Sequence, residues 1–149
     1  MPRSPRFSTA DLDLATVREG GVLFETGRPV RFRYVHNEEK APQLGARFGQ
    51  DIEPSGFYVL HVPEDGSVPP RGWTSGTATL EHPLVLVEAL DRDAIYGPTG
   101  WKARLHAATK KRRRALSRYL LGLGFDSIVP VRRDPKHGDS TTEIVLLRA

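Results

Sequence analysis

The pattern of hydrophobic and polar positions alternates with period two in several parts of the chain, which predicts β-strands. The clearest runs are Val30–His36 and Gly56–Val62, and Gly, Pro, Asn or Asp residues that favour turns flank both. Period two places His36 on the aromatic face of the first run. In the second run it places Tyr58 on the face opposite Phe57.

Shorter apolar or alternating runs predict the remaining strands. They lie at residues 22–25, 77–81, 82–90, 125–131 and 141–147. A turn at Thr26-Gly27 predicts that the first of these runs and the strand that follows it form a hairpin.

The only long helical pattern lies between Trp101 and Leu123. Five consecutive cations, Lys110 to Arg114, would put charge on every side of one continuous helix. We therefore expect two helices, near residues 101–108 and 112–122, with Gly124 as a C-cap. Strands with a helical pair before the last two of them indicate an α+β domain with a split, mostly antiparallel sheet and a few short helices.

The length of 149 residues is enough for one domain with a core and too short for two comfortable ones. We interpret residues 1–19 as an N-terminal extension and residues 20–149 as the single domain. Charged residues make up 27% and hydrophobic residues 38% of the chain, which is typical of a folded, soluble protein. No window approaches the roughly 18 apolar residues of a membrane span, and no apolar segment follows the basic N-terminus, so we expect a cytoplasmic protein.

Several kinds of chemistry find no support in the sequence. The chain has no cysteine, which excludes disulfides and thiol nucleophiles. It shows no glycine-rich phosphate loop and no histidine pair at helical spacing, so we expect no metal site. The net charge of +4 is concentrated, because residues 102–118 hold eight Lys or Arg and no acid. We call Lys110, Lys111, Arg112, Arg113 and Arg114 the basic cluster; it can bind an anionic partner such as nucleic acid or remain a solvated surface.

Three residues occupy positions typical of a site. His36 ends one predicted strand, Tyr58 lies early in the next, and Glu143 begins the last. Glu143 shares its strand face with Val145 and Leu147, and a carboxylate on a buried face is costly without a partner or a function. The other interpretation is that Glu143 lies in water at the mouth of its strand.

This ordered set resembles the histidine–tyrosine–glutamate pattern of the ADP-ribosyltransferase superfamily, closest to its poly(ADP-ribose) polymerase and diphtheria-toxin-like branch. The segment Leu121–Val129 is similar to the segment that precedes the glutamate in small bacterial and phage members. His82–Val85 is similar to their Asn-Pro-Leu strand. The resemblance covers about residues 30–147, and it departs from the family at Asn37, where glycine is usual.

The resemblance implies an ADP-ribosyltransferase-like fold and transfer of ADP-ribose from NAD to a macromolecular acceptor, with release of nicotinamide and without a metal. It implies that His36 binds the adenosine-side ribose, that Tyr58 stacks on nicotinamide, and that Glu143 stabilises the developing positive charge. Asn37 would contact nicotinamide, and Arg47 and Gln50 are further candidate NAD contacts.

The acceptor is open between nucleic acid and protein, and the basic cluster is the candidate acceptor-binding surface. Two other functions also stay open. One is a non-enzymatic, basic nucleic-acid-binding module. The other is an RNA 2′-phosphotransferase that also consumes NAD, although Arg33 is the only obvious member of the arginine set which that reaction requires.

Overall fold

The computed structural model describes residues 12–19, 22–37, 52–62, 69, 71–88, 100–134, 138–141 and 143–148. Within these residues the strands are β1 Thr16–Glu19, β2 Val22–Glu25, β3 Val30–His36, β4 Gly56–Val62, β5 Thr74–Leu80, β6 Pro83–Glu88, β7 Ser127–Asp134, β8 Gly138–Ser140 and β9 Glu143–Leu147. The helices are α1 Trp101–Thr109 and α2 Arg113–Gly122. The prediction of a mixed α+β protein is confirmed.

Most of the strands form one sheet in the order β5-β3-β4-β9-β7-β6, with β8 also paired to β7. Every pair in it is antiparallel except β6 and β7. These two are parallel because the chain crosses over through α1 and α2 between them, as parallel neighbours require. Strands β1 and β2 form a separate two-stranded ribbon. The prediction of a mostly antiparallel sheet is therefore confirmed.

The predicted hairpin between β2 and β3 is wrong. Strand β2 pairs with β1, whereas β3 pairs with β4 and β5. The Thr26-Gly27 turn is anchored to β6 instead. The Thr26 hydroxyl donates to the Val85 carbonyl at 3.3 Å and accepts from the Val85 N–H at 3.2 Å. These tertiary hydrogen bonds direct β2 away from β3.

Residues at the end of the predicted N-terminal extension pack against the domain. Leu12 and Ala15 are buried. The Ala15 N–H donates to the Val85 carbonyl at 3.4 Å, and the Val87 N–H donates to the Asp13 carbonyl at 2.9 Å. The segment before β1 therefore runs along the outer edge of β6 and covers that edge.

Alternation along the strands separates two cores. The helix face of the main sheet packs against α1 and α2, and its buried residues include Leu84, Leu86, Ile128, Val145 and Leu147. The ribbon face packs against β2, and its buried residues include Phe32, Val59, Val85, Val129 and Ile144. Strands β6, β7 and β9 bury apolar residues on both sides, because one of their faces packs on the helices and the other on the ribbon.

The two helices are separate, as predicted from the basic cluster. Lys110 and Arg113 have left-handed φ angles of 58° and 56°, so the backbone turns sharply between α1 and α2. Leu123 caps α2, and Gly124 follows it with φ of 100°, a conformation that favours glycine. Within the described part of the chain, neither helix has the length and apolar character needed to cross a membrane.

Candidate functional site

Strands β4 and β9 bring Tyr58 and Glu143 to the same face of the sheet. In their antiparallel register Tyr58 is opposite Val145, and Leu60 is opposite Glu143. Directly opposed residues point to the same side, so Tyr58 and Glu143 are diagonal neighbours on the helix face. The pairing thus joins two of the three residues that the sequence singles out.

Glu143 begins β9 with its carboxyl group enclosed by protein, although the residue as a whole is only half-buried. Burial raises the pKa of the Glu143 carboxyl above its usual range, and the negative charge of Glu53 adds to this effect. The positive charge of Lys102 lowers the pKa of Glu143 in opposition. The charge of the Glu143 carboxyl therefore depends on Lys102 and Glu53.

Tyr58 presents its ring rather than its hydroxyl. The hydroxyl donates a hydrogen bond to the Pro54 carbonyl at 2.6 Å. Burial raises the pKa of Tyr58, followed by the charges of Glu53 and Glu143, so the phenol stays protonated at physiological pH. Because the hydroxyl already has a partner, the aromatic ring is the part of Tyr58 that suits contact with a ligand.

The structure adds two charged residues that sequence reasoning missed. Lys102 in α1 and Glu53 before β4 are each 8% exposed, and Lys102 Nζ lies 2.9 Å from Glu53 Oε2. The same ammonium group lies 5.6 Å from the centre of the Tyr58 ring and 5.5 Å from that of Trp101. We call Glu53, Tyr58, Lys102 and Glu143 the Glu143 site.

The sequence carried only a weak signal for these two. Glu53 stands beside Pro54 at a predicted strand entry, and Lys102 is one of many cations in residues 102–118. From the sequence alone, both residues are expected to be ordinary surface charges. Only the packing of α1 against the helix face shows that they meet in the interior.

His36 lies on the other side of the sheet. Its ring packs 4.7 Å from the ring of Phe57 and 5.8 Å from that of Tyr34, centre to centre. Phe57 points away from Tyr58 because they are adjacent in one strand. The His36 Nδ1 atom is buried and has no hydrogen-bond partner in the described part of the chain.

The order of the three residues predicts that Tyr58 and Glu143 face one cleft with His36 at its rim, but the structure places His36 on the opposite face of the sheet. The cause is the register of β3 and β4. Val35 is opposite Leu60, so Val35 and not His36 shares the face of Glu143. Arg33 also lies on the helix face, away from His36.

The other predicted NAD contacts fall at or beyond the end of β3. Asn37 is half-buried and lies near Gly72, with 3.8 Å between its Nδ2 atom and the position of a Cβ built on that glycine. Arg47 and Gln50 lie outside the described residues, so their roles stay predictions.

The basic cluster forms the turn between the helices and the start of α2. Lys110, Arg112 and Arg114 are exposed, as predicted. Lys111 is half-buried, with its ammonium group 5.3 Å from the centre of the Tyr119 ring. Arg113 is exposed as a residue, yet its guanidinium lies 3.8 Å from Glu53. The basic cluster is thus in contact with the Glu143 site through Arg113.

Among the described residues, no group of three histidine or acidic side chains is arranged to hold a metal ion. A scan against protein-family models gave no match, and neither did searches of curated proteins and of solved structures. The geometry of the Glu143 site is therefore the basis for assigning a function.

Proposed function

We propose that the protein is an NAD-dependent ADP-ribosyltransferase with an ADP-ribosyltransferase-like fold, which transfers ADP-ribose to a macromolecular acceptor and releases nicotinamide. One observation carries the proposal. The enclosed carboxyl group of Glu143 and the ring of Tyr58 share one face of the paired strands β4 and β9. The order of Tyr58 and Glu143 along the chain is also the order of the tyrosine and the glutamate in the ADP-ribosyltransferase pattern that the sequence resembles.

The chemistry of the reaction gives these residues their roles. The bond between the ribose C1′ and the nicotinamide nitrogen breaks, and its electron pair leaves with nicotinamide. The ribose becomes positively charged in the transition state, and a fixed Glu143 carboxylate stabilises that charge more than it stabilises the substrate. The acceptor then bonds to C1′ and loses a proton. The Tyr58 ring offers a flat surface to the cationic nicotinamide.

The charge of Glu143 gives the proposed reaction a pH dependence. Only the ionised carboxylate stabilises a developing cation. Because burial raises the pKa of Glu143, nicotinamide release should fall on the acid side at a pH above the ordinary range of a glutamate. A pH profile of nicotinamide release that stays flat through this region would contradict the role of Glu143.

The proposal gives His36 no contact with the nicotinamide half of NAD. The sheet itself separates the His36 ring from the face that carries Tyr58 and Glu143. A nucleotide held on the helix face would therefore meet Arg33 or Val35 of β3 before His36.

The acceptor proposed for this site is anionic, with nucleic acid preferred. Lys110, Arg112 and Arg114 are exposed, and Arg113 connects them to Glu53 of the Glu143 site. A polyanion bound at the cluster would therefore lie next to the reacting ribose. The same exposed cations favour a second candidate function, a nucleic-acid-binding module without enzymatic activity, which would bind nucleic acid without any need for NAD.

The experiment that tests the proposal is labelling of a cell lysate with NAD that carries a label on its adenine half. We expect label to enter macromolecules with the wild type, to disappear with Glu143→Gln and to persist with Glu81→Gln, an exposed glutamate outside the site. Treatment with nuclease should remove the label if the acceptor is nucleic acid. Labelling by Glu143→Gln at the wild-type rate would overturn the proposed role of Glu143.

A further inference from the structure

The Lys102–Glu53 ion pair is the least expected feature of the interior. Both residues are buried, and their charged atoms lie 2.9 Å apart. Glu53 is held in place by the start of α2, because the Arg113 N–H donates to the Glu53 carbonyl at 3.0 Å. Lys102 is held by α1, next to Trp101. Two separate elements thus fix the two charges.

A buried ion pair of this kind contributes little net stability to a folded protein. Removing two charges from water carries a large desolvation penalty, and well-packed apolar residues of similar volume are often as stabilising or more so. On the same helix as Lys102, Trp101 and Leu105 are buried in the apolar core. The position of the pair within the Glu143 site instead favours a role in the function of that site.

The pair lies beside the ring of Tyr58, with Lys102 Nζ 5.6 Å from its centre, and Tyr58 is the diagonal neighbour of Glu143 across β4 and β9. Lys102 favours the ionised carboxylate, and Glu53 disfavours it, while also holding the ammonium group of Lys102. Among the described residues, Lys102 and Glu53 are the charged groups that shift the pKa of Glu143. Tyr58 of β4 stays protonated, and β7 pairs with β9 through Ser127 and Ile128, which do not titrate in this range. Arg113 of α2 pairs with Glu53.

We propose that Lys102 and Glu53 are positioning residues that together set the charge on Glu143. Lys102 keeps the carboxylate ionised for the reaction, and Glu53 fixes where the ammonium group sits and limits how strongly it acts. This assignment rests on the proposed function in one respect, which is that the charge of the Glu143 carboxyl matters for turnover. The electrostatic coupling itself can be measured without any NAD.

The test is an NMR titration of the protein with ¹³C-labelled glutamate carboxyl groups, in which Glu143→Gln identifies the Glu143 signal. Lys102→Met should move the protonation midpoint of Glu143 to higher pH, and Glu53→Gln should move it to lower pH. Arg113 remains as a partner of Glu53 in the first variant. A purely structural ion pair predicts shifts in the same direction, or none, and either result would overturn the proposal.

A single variant can fail to fold, since breaking a buried pair leaves one charge without its partner. The double variant Lys102→Met/Glu53→Gln removes both charges and avoids that cost. Because the double variant removes two opposing influences, its midpoint should lie between those of the two single variants. Lys102→Arg keeps the positive charge and should keep the midpoint near that of the wild type. A midpoint of the double variant outside the interval set by the single variants would overturn the proposal.

Activity then separates this proposal from the proposed function. If the proposed reaction is correct, the pH at which nicotinamide release falls on the acid side should shift among the variants in the same order as their NMR midpoints. If the midpoints move as expected and no variant or wild-type protein releases nicotinamide, the electrostatic assignment holds and the proposed reaction fails.

Discussion

Glu143 has to satisfy two opposing requirements, because burial disfavours the ionised form that the proposed reaction needs. In the folded protein its pKa is raised, so the carboxylate form destabilises the native state once the pH exceeds the ordinary pKa of glutamate. A residue of this kind is expected where stability is sacrificed for function.

Replacing Glu143 by Gln should therefore raise the thermal midpoint near neutral pH while abolishing most activity. Gln keeps the size and removes the buried charge, and a gain on the order of 1 kcal/mol corresponds to roughly 2–4 °C for a chain of this length. The gain should vanish below about pH 4, where the wild-type carboxyl is protonated in both states. Nicotinamide release should fall on the order of 100-fold. A lower thermal midpoint for Glu143→Gln would instead identify Glu143 as a structural partner of Lys102.

Two substitutions separate the ring of Tyr58 from its hydroxyl. Tyr58→Phe keeps the ring and removes the hydrogen bond to Pro54, so it should cost about 1 kcal/mol of stability and leave the affinity for NAD nearly unchanged. Tyr58→Ala should weaken NAD binding as well. Calorimetric titration with NAD gives both affinities. Equal affinities for Phe and Ala variants would mean that the ring does not contact the nucleotide.

At the level of single residues, the sequence predicted part of the site. Tyr58 and Glu143 could be chosen because each sits at a marked place in a strand with strong alternation. Lys102 and Glu53 could not, because a lysine in a cationic stretch and an acid beside proline are ordinary surface residues in most chains. Their burial follows from the packing of α1 on the sheet, which is not a local property.

The β4–β9 ladder is the element that holds the site, and Gly56 is its tightest point. A Cβ atom at Gly56 would lie 2.5 Å from the Leu146 carbonyl oxygen and 2.9 Å from Val145 Cγ1. Gly56→Ala should destabilise the protein by about 1–3 kcal/mol, because backbone on the paired strand must move. Gly122→Ala is the matched control. It meets open space in α2 and should be neutral or stabilising by up to about 1 kcal/mol.

Urea denaturation of the two variants gives the comparison directly. Nicotinamide release should also fall in Gly56→Ala, since the spacing between Tyr58 and Glu143 depends on this pairing. A Gly56→Ala variant as stable as the wild type would show that the ladder is looser than its geometry indicates.

The placement of His36 gives a prediction about β3. His36→Ala removes a ring that packs against Phe57 on the ribbon face, so it should cost about 1 kcal/mol of stability. Nicotinamide release by the folded variant should stay close to that of the wild type. A loss of activity as large as that of Glu143→Gln would show that His36 reaches the nucleotide after all, as the family resemblance implies.

Elements were predicted well where the signal was local. The charge density at Lys110–Arg114 forced a break between two helices, and Gly124 ended the second one in a left-handed conformation. Pairing was predicted less well. Period two gave the faces of β3 and β4 separately, but the register that decides which faces match is set by partners elsewhere in the chain. The order of residues along the chain therefore suggests one site for His36 and Tyr58, whereas the register puts them on opposite faces of the sheet.

For the whole molecule, the basic cluster beside the Glu143 site is the feature that suggests the partner. Exposed cations attract a polyanion by releasing its condensed counterions, so the affinity depends steeply on salt. Arg112 and Arg114 are the residues to change, because both are exposed and neither is paired with Glu53. Arg113 is kept, since its loss would also disturb the Lys102–Glu53 pair.

The double variant Arg112→Ser/Arg114→Ser should bind a fluorescent oligonucleotide more weakly at low salt. The slope of log affinity against log salt should become shallower by roughly 1.4–1.8 if each arginine contacts one phosphate. The control is Arg31→Ser/Arg71→Ser, which removes the same charge from exposed positions on β3 and before β5. Equal losses in both variants would point to net charge alone rather than a binding surface. An unchanged slope in the first variant would mean that the basic cluster is a solvated turn, and the acceptor would then have to approach the Glu143 site from another side.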